Sequence, residues 1–468
     1  MTRDWTTSGP DLHLALTAPG ARHAALEDAL RAAIRERRLA AGTRLPSTRA
    51  LAGDLGLSRG TVVEAFAQLT AEGYLEARHG AGTWVAELAP VVAAHVAPSE
   101  PARRAARFSF SPGLPDLTSF PQAAWMSALR QGLRGTAAAS LGYGDARGRR
   151  ELREQLASYL ARARGVHADP DLVVVCAGFR HGLSLVARAL GATGATAVAM
   201  EDPCAPPHRA VVAAAGLAIE PLPVDERGAR TDLLGAASAA VLSPAHQFPT
   251  GVVLASERRA AAVAWAAAGG GLVVEDDFDG EFRYDRQPIG ALQALAPDSV
   301  AYGGTASKTL APGLRLAWLV VPPRLLEPIV ALRGAEDMHV SALDQVALCE
   351  LIASGAYERH VRRMRARYRG RRDRLLALLA ERAPALVPVG ISAGLGLLIE
   401  LPAGGPTAAE LVAAAAARSI ELEPLGPYHA HGDAPSEGIV AGFGALPEHD
   451  FDAGLSALGD LLAATFGR

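Results

Sequence analysis

The sequence predicts an α/β fold built on a mostly parallel sheet, preceded by a small helical module and followed by a smaller C-terminal α/β subdomain. Three observations carry this. Beyond Phe108, continuous apolar runs such as "DLVVVC", "GLVVE" and "RLAWLVVP" alternate with helix-forming stretches, the pattern of parallel strands covered on both faces. Residues 21–85 show helical spacing, glycine turns and a short hairpin pattern instead. Between the two, "VAELAPVVAAHVAPSEPARRAAR" is rich in Ala and Pro without an apolar period, which suits a semi-stiff linker over 86–107.

A chain of 468 residues allows two to four domains at roughly 100 to 200 residues each. Half of it is hydrophobic, but much of that is alanine in charged helices, and no apolar stretch approaches the roughly 20 residues of a membrane span. The opening "MTRDWTTSGPDLHLAL" lacks an apolar core with a cleavage site, and Cys176, Cys204 and Cys349 make no disulfide framework. A cytoplasmic protein is expected. The net charge of −3 gives no whole-chain signal for nucleic acid, so a DNA reading must rest on local motifs.

Residues 1–20 read as an N-terminal arm. In "ARHAALEDALRAAIRERRL", Leu26, Leu30, Ile34 and Leu39 fall near helical spacing and bury one face. After "AAGTRLP", Ser47 caps "STRALAGDL", Gly56 turns the chain, and Ser58 caps "SRGTVVEAFAQLTAEG", which ends at Gly73. Two short helices on a glycine turn make a helix-turn-helix, and "YLEARHGAGTWVA" adds two strand-like pieces, a wing. The start of the second helix meets base edges in such a unit, which selects Ser58, Arg59 and Thr61. Arg44, Ser47, Thr48 and Arg49 stand where backbone phosphates would be met, and Arg78, His79 and Gly80 ride on the wing. A protein-binding helical module with solvated arginines is the alternative, because residues 21–85 hold nine Arg against seven Asp plus Glu. The run "GTRLPSTRALAGDLGLSRGTVVEAFAQLTAEGYLEARHGAGTWV" nevertheless resembles the winged helix-turn-helix of GntR-type bacterial regulators over almost its whole length.

Residues 108–468 read as the effector domain, with a small subdomain from about 375 to 468. Ligands gather at the carboxyl ends of strands in an open parallel sheet. There Asp276 follows "GLVVE", Lys308 follows "SVAY" and a Gly-rich turn, and Gly178 follows "DLVVVC". A lysine amine forms a Schiff base with an aldehyde, and pyridoxal 5'-phosphate (PLP) needs that lysine, a carboxylate opposite its ring nitrogen, and phosphate donors. Lys308 supplies the amine and Asp276 the carboxylate. Thr305, Ser307 and Arg315, with the free N–H groups at Gly178, supply the phosphate contacts. Taken singly, a lysine in a Ser/Thr loop is usually solvated, and "EDDFDGE" also reads as an acidic turn or a weak oxygen-ligand site. No metal is expected, because the acidic run ends a buried strand.

The motifs "GYGDARG", "SPAHQFPTG", "VVEDDFDGEFRYDRQP" and "GTASKTLAPGLRLAWL", in this order behind a GntR-type head, resemble the MocR subfamily. Its members fuse a winged helix to a domain like a fold-type I PLP-dependent aminotransferase. The resemblance implies a Schiff base at Lys308, a pyridinium partner at Asp276 and a phosphate contact from Arg315. It also implies a head-to-tail homodimer in which Tyr143 reaches the partner's phosphate, a double-stranded operator with two half-sites, and a small-molecule effector such as PLP, an amino acid or an amine. The chain departs from the pattern in four places. Phe278 stands where Tyr is usual, Phe179 and Arg180 replace small polar residues after Gly178, Ala205 replaces an aromatic or His, and Val440 stands where aminotransferases keep an Arg for the substrate carboxylate. Arg180 then either shares the phosphate charge or blocks the pocket, and Arg209 is the candidate replacement clamp. The expected function is a DNA-binding regulator that senses PLP or a PLP–amine adduct, in vitamin B6 or amino-acid and amine metabolism. An active aminotransferase with an accessory DNA head, and a regulator that has lost PLP, are the alternatives.

Overall fold

The computed structural model describes residues 22–78, 82–87, 106–269, 271–284, 289–336, 339–432 and 437–467. The arm expected over 1–20, most of the linker expected over 86–107, and His79 and Gly80 lie outside the described residues. The chain divides into two compact units, Met1–Ala102 and Arg103–Arg468.

The first unit holds helices α1 (Arg22–Arg35), α2 (Thr48–Leu55) and α3 (Arg59–Ala71), then strands β1 (Leu75–Arg78) and β2 (Gly82–Val85). Both serine caps form: Ser47 Oγ accepts from Ala50 N at 3.2 Å, and Ser58 Oγ accepts from Thr61 N at 3.1 Å. Each cap satisfies an amide that the helix leaves unpaired and contributes about 1 kcal/mol. Gly56 makes the turn between them at φ 63°, a left-handed conformation that side chains resist. The core packs Leu26, Leu30 and Ile34 against Leu51, Val62, Phe66 and Leu69. Leu39 joins this core from outside α1: the chain leaves the helix, passes Arg37 at φ 57°, and hooks the Leu39 amide onto Ala33 O at 3.0 Å. The wing strands pair antiparallel, Leu75 opposite Val85.

The second unit is organised by an eight-stranded sheet. Its spatial order is Val173–Cys176, Ala317–Val320, Val300–Thr305, Leu272–Asp277, Ala239–Leu242, Ala197–Asp202, Ala218–Asp225 and Gly228–Ala229. From Val300–Thr305 to Ala218–Asp225 every pairing is parallel, and Ala317–Val320 runs antiparallel to both neighbours. The central strands are buried along their length, as expected when helices cover both faces. On one face Leu183, Val186, Val212 and Ile329 pack on Val174 and Val274; on the other Leu152, Leu156 and Leu348 pack on Val173 and Tyr302.

A four-stranded sheet of Val387–Val389, Gly396–Glu400, Gly438–Gly442 and Glu423–Pro424 forms the smaller part, backed by Ala408–Ala417 and Glu448–Phe466. Phe108–Ser109, the opening strand of the effector region, pairs with Ile420–Glu421, and Phe108 and Phe110 lie in the same core as Phe451 and Leu458. The start of this unit therefore packs with its end. The helix Ala356–Arg382 joins the two parts, with Tyr357 and Val361 in the large core and Tyr368, Leu375 and Leu379 in the small one. Among the described residues, no helix is long and apolar enough to cross a membrane.

Candidate functional site

At the carboxyl ends of the parallel strands lies a cavity of about 640 Å³. Asp276, Phe278, Phe179, Arg180, Thr305, Ser307, Lys308 and Arg315 all line it. Lys308 is the sole lysine in a chain with 46 Lys plus Arg. Arginine cannot replace it in imine chemistry, because its guanidinium stays protonated. Lys308 Nζ donates to Gly113 O at 2.5 Å. Burial lowers its proton affinity, against the opposing pull of Asp279 and Asp276, and so favours the free amine that a nucleophile requires.

Asp276 closes the other end of the chemistry. Its Oδ1 is buried without a hydrogen-bond partner, and Oδ2 lies 3.6 Å from His208 Nδ1. Burial, then Asp277, Asp279 and Glu201, push its carboxyl pKa up. A buried carboxylate oxygen without a donor is costly, and a protonated ring nitrogen is the kind of group that would satisfy it.

The anion side is built at the junction of Cys176 with the helix Phe179–Ala192. Gly178 caps that helix at φ 90° and ψ 157°, a region open essentially to glycine alone. A Cβ there would lie 2.4 Å from Arg315 Nη2. The glycine thus lets the guanidinium lie against the helix N-terminus, where Arg315 donates to Ala177 O at 2.5 Å. Arg180, in the first turn of the same helix, is exposed and has no hydrogen bond or ion pair among the described residues; it adds positive charge at the rim. Thr305 and Ser307 both line the cavity, and the Thr305 hydroxyl bonds Ser307 Oγ at 2.8 Å and reaches Leu316 O at 3.3 Å, which holds the loop.

Close to Ala205 the cavity wall carries the ring of His208, which sequence reasoning missed. His208 lies in the first turn of the helix Pro206–Ala214 and packs on Phe179, ring centroids 5.2 Å apart. Burial, Lys308 and Arg180 lower its pKa to about 4, so the ring is neutral at neutral pH. The double proline "PP" at 206–207, a helix start, was the usable signal. Phe278 has no polar group; its ring meets Phe248 at 5.8 Å. Val440 is buried. Arg209 is not a replacement carboxylate clamp. Its guanidinium donates to Cys204 O, Tyr428 O, Pro427 O and His429 O at 2.6–3.1 Å, which ties the loop 427–429 to the helix start. Tyr143 does not reach this cavity within one chain; it is 82% exposed and lines a separate cavity of about 530 Å³ with Arg149 and His339.

In the first unit, Ser58 and Arg59 are exposed at the start of α3, with Thr61 half-buried; Ser58 and Thr61 hydroxyls also bond each other at 2.8 Å. Ser47 and Arg49 are exposed and Thr48 is half-buried at the start of α2. Arg49 and Arg59 have no partner among the described residues. Arg44 and Arg78 instead flank the wing tryptophan Trp84, their guanidinium carbons 6.0 and 5.0 Å from its ring.

Residues 23–85 match the model of bacterial regulatory proteins of the gntR family, and residues 112–426 match aminotransferase class I and II. Similar proteins include the probable rhizopine catabolism regulatory protein MocR of Rhizobium meliloti, 32% identical across 93% of this chain and 92% of that one. The HTH-type pyridoxine biosynthesis transcriptional regulator PdxR of Corynebacterium glutamicum is 32% identical across 88% of this chain and 89% of its own. Among solved structures, an archaeal alanine:glyoxylate aminotransferase superposes with a TM-score of 0.70 at 25% identity, covering 77% of this chain and 91% of that one.

Proposed function

The chain belongs to the MocR subfamily of GntR-type transcriptional regulators, and from that premise we propose that its DNA binding is set by PLP, or by a PLP–amine adduct, held at Lys308. The observation that carries this is the pairing of the sole lysine, half-buried, with an orphaned carboxylate oxygen on Asp276 in one cavity. When bound, PLP supplies an aldehyde that condenses reversibly with a primary amine.

The chain's own residues divide the work. Lys308 offers its amine, whose proton affinity burial lowers. Asp276 Oδ1 would take a proton-bearing ring nitrogen, His208 and Phe179 would pack on the ring, and Arg315, Ser307 and the amides after Gly178 would hold the phosphate, with Arg180 adding charge there. We read the domain as a sensor in preference to a catalyst: turnover needs a substrate held in register, an effect worth about 7–11 kcal/mol of barrier at its upper end, and with Val440 buried and Arg209 committed to carbonyls, neither of the two positions expected to clamp a carboxylate is free to do so.

Tyr143, exposed beside a basic cavity, suits a head-to-tail homodimer in which it meets the partner's phosphate. Arg59 with Ser58 and Thr61 would read bases and Arg49 would meet phosphates, on two half-sites, in the cytoplasm. One relative is named for pyridoxine biosynthesis and another for rhizopine catabolism, so vitamin B6 and amine metabolism are both targets this reading admits. A ligand can switch such a protein only by binding its DNA-competent and incompetent states unequally. The test is operator affinity with and without PLP in the wild type and in Lys308→Arg, which keeps the charge and cannot form an imine. PLP should change affinity in the first and not in the second; an equal response in both contradicts the proposal.

A further inference from the structure

The cations that line the cavity stand with Glu201 and Asp276 on the large-sheet side, and the small-sheet side carries a carboxylate without a cation. The cavity's lining Arg and Lys residues, Arg180, Lys308 and Arg315, all come from segments at the carboxyl end of the large sheet. The small-sheet strand Glu423–Pro424 and the turn after it contribute Glu423, Pro424, Pro427 and Tyr428 and no cation. Glu423 is oriented by Ser111 Oγ at 2.9 Å and Tyr428 Oη at 2.5 Å, and it has no ion-pair partner among the described residues. Its strand partner is Val440, and Arg209, the nearest arginine of the adjoining helix, is spent on backbone carbonyls. A carboxylate with two hydroxyl donors still has acceptor capacity left.

We propose that the effector is a diamine, one amine engaging the cofactor at Lys308 and the other, protonated, facing Glu423, and that ligands with a carboxylate at the far end are turned away. This rests on PLP being held at Lys308. At the near end one C–N bond to the aldehyde carbon forms as the bond to Lys308 Nζ breaks; the lysine leaves as the free amine, and neither oxidant nor reductant is consumed. At the far end an ammonium gains an unpaired carboxylate in a semi-enclosed site, whereas an anion would be set against it.

The test titrates PLP-loaded full-length protein with three chain-matched amines, putrescine, butylamine and gamma-aminobutyrate, following visible absorbance and heat of binding. The expected order is putrescine tightest, at least about tenfold over butylamine (about 1.4 kcal/mol), with gamma-aminobutyrate weakest. In Glu423→Gln the putrescine-to-butylamine ratio should fall toward one. Equal affinity for putrescine and butylamine, or tighter binding of gamma-aminobutyrate, overturns the inference while leaving PLP at Lys308 intact. Absence of any visible band before amine is added overturns both.

Discussion

Replacing Gly178 by alanine separates two costs that the structure makes explicit. The first is backbone strain: φ 90° with ψ 157° lies in a region worth about 1–3 kcal/mol against a residue with a Cβ, and it is felt with or without ligand. The second falls on Arg315. The new methyl would sit 2.4, 2.7 and 2.8 Å from Nη2, Cζ and Nη1, all inside van der Waals contact, so the guanidinium must leave its place beside Ala177 O. If Arg315 binds the PLP phosphate, the loss is one charge-assisted contact, about 1.5–3 kcal/mol, or about ten- to a hundredfold in Kd. Equilibrium dialysis with PLP measures the second cost, and thermal unfolding of the PLP-free protein measures the first. Adding Arg315→Ala should weaken PLP little further, since both changes act through one guanidinium. A melting temperature that falls while PLP affinity stays within about twofold of wild type would refute Arg315 as the phosphate ligand.

Other outcomes follow from the same geometry. Arg59→Ala should relax sequence preference, whereas Arg49→Ala should weaken binding to all sequences alike and lower the salt slope by about one; binding isotherms on matched and mismatched operators distinguish them. His208 has its pKa lowered to about 4 from about 6.5 in the unfolded chain, so the unfolded state takes up the proton first and wild-type stability falls as pH drops through that window. Relative to His208→Gln, denaturant titration should show wild type losing up to about 3 kcal/mol between pH about 6.5 and about 4; a pH-independent difference would mean the ring titrates normally. Arg209→Ala should strip donors from four carbonyls around the loop 427–429 and raise its hydrogen exchange, and unchanged exchange there would contradict that tie.

Much of this was legible locally. Ser47 and Ser58 announce helix starts because a cap is a contact across three residues. Lys308 and Asp276 stand out because they end apolar strands, and strand ends point to one rim of a parallel sheet. What escaped is non-local. Arg209 looked like a free cation, yet its direction is fixed by carbonyls about 220 residues further on. The pairing of Phe108 with Ile420 has no period to betray it, since the strands are two residues long. Ala205 drew attention to a missing ring while His208, in the next turn, supplied one. Trp84 draws Arg44 and Arg78 to the wing, a contact that a charge count over 21–85 cannot contain.

Reductive trapping puts the whole account at risk in one step. Protein saturated with PLP, reduced with borohydride and digested, should yield the peptide containing Lys308 in its pyridoxylated form at near one label per chain. With no second lysine to compete, recovery of that peptide unmodified from fully saturated protein would contradict the central claim.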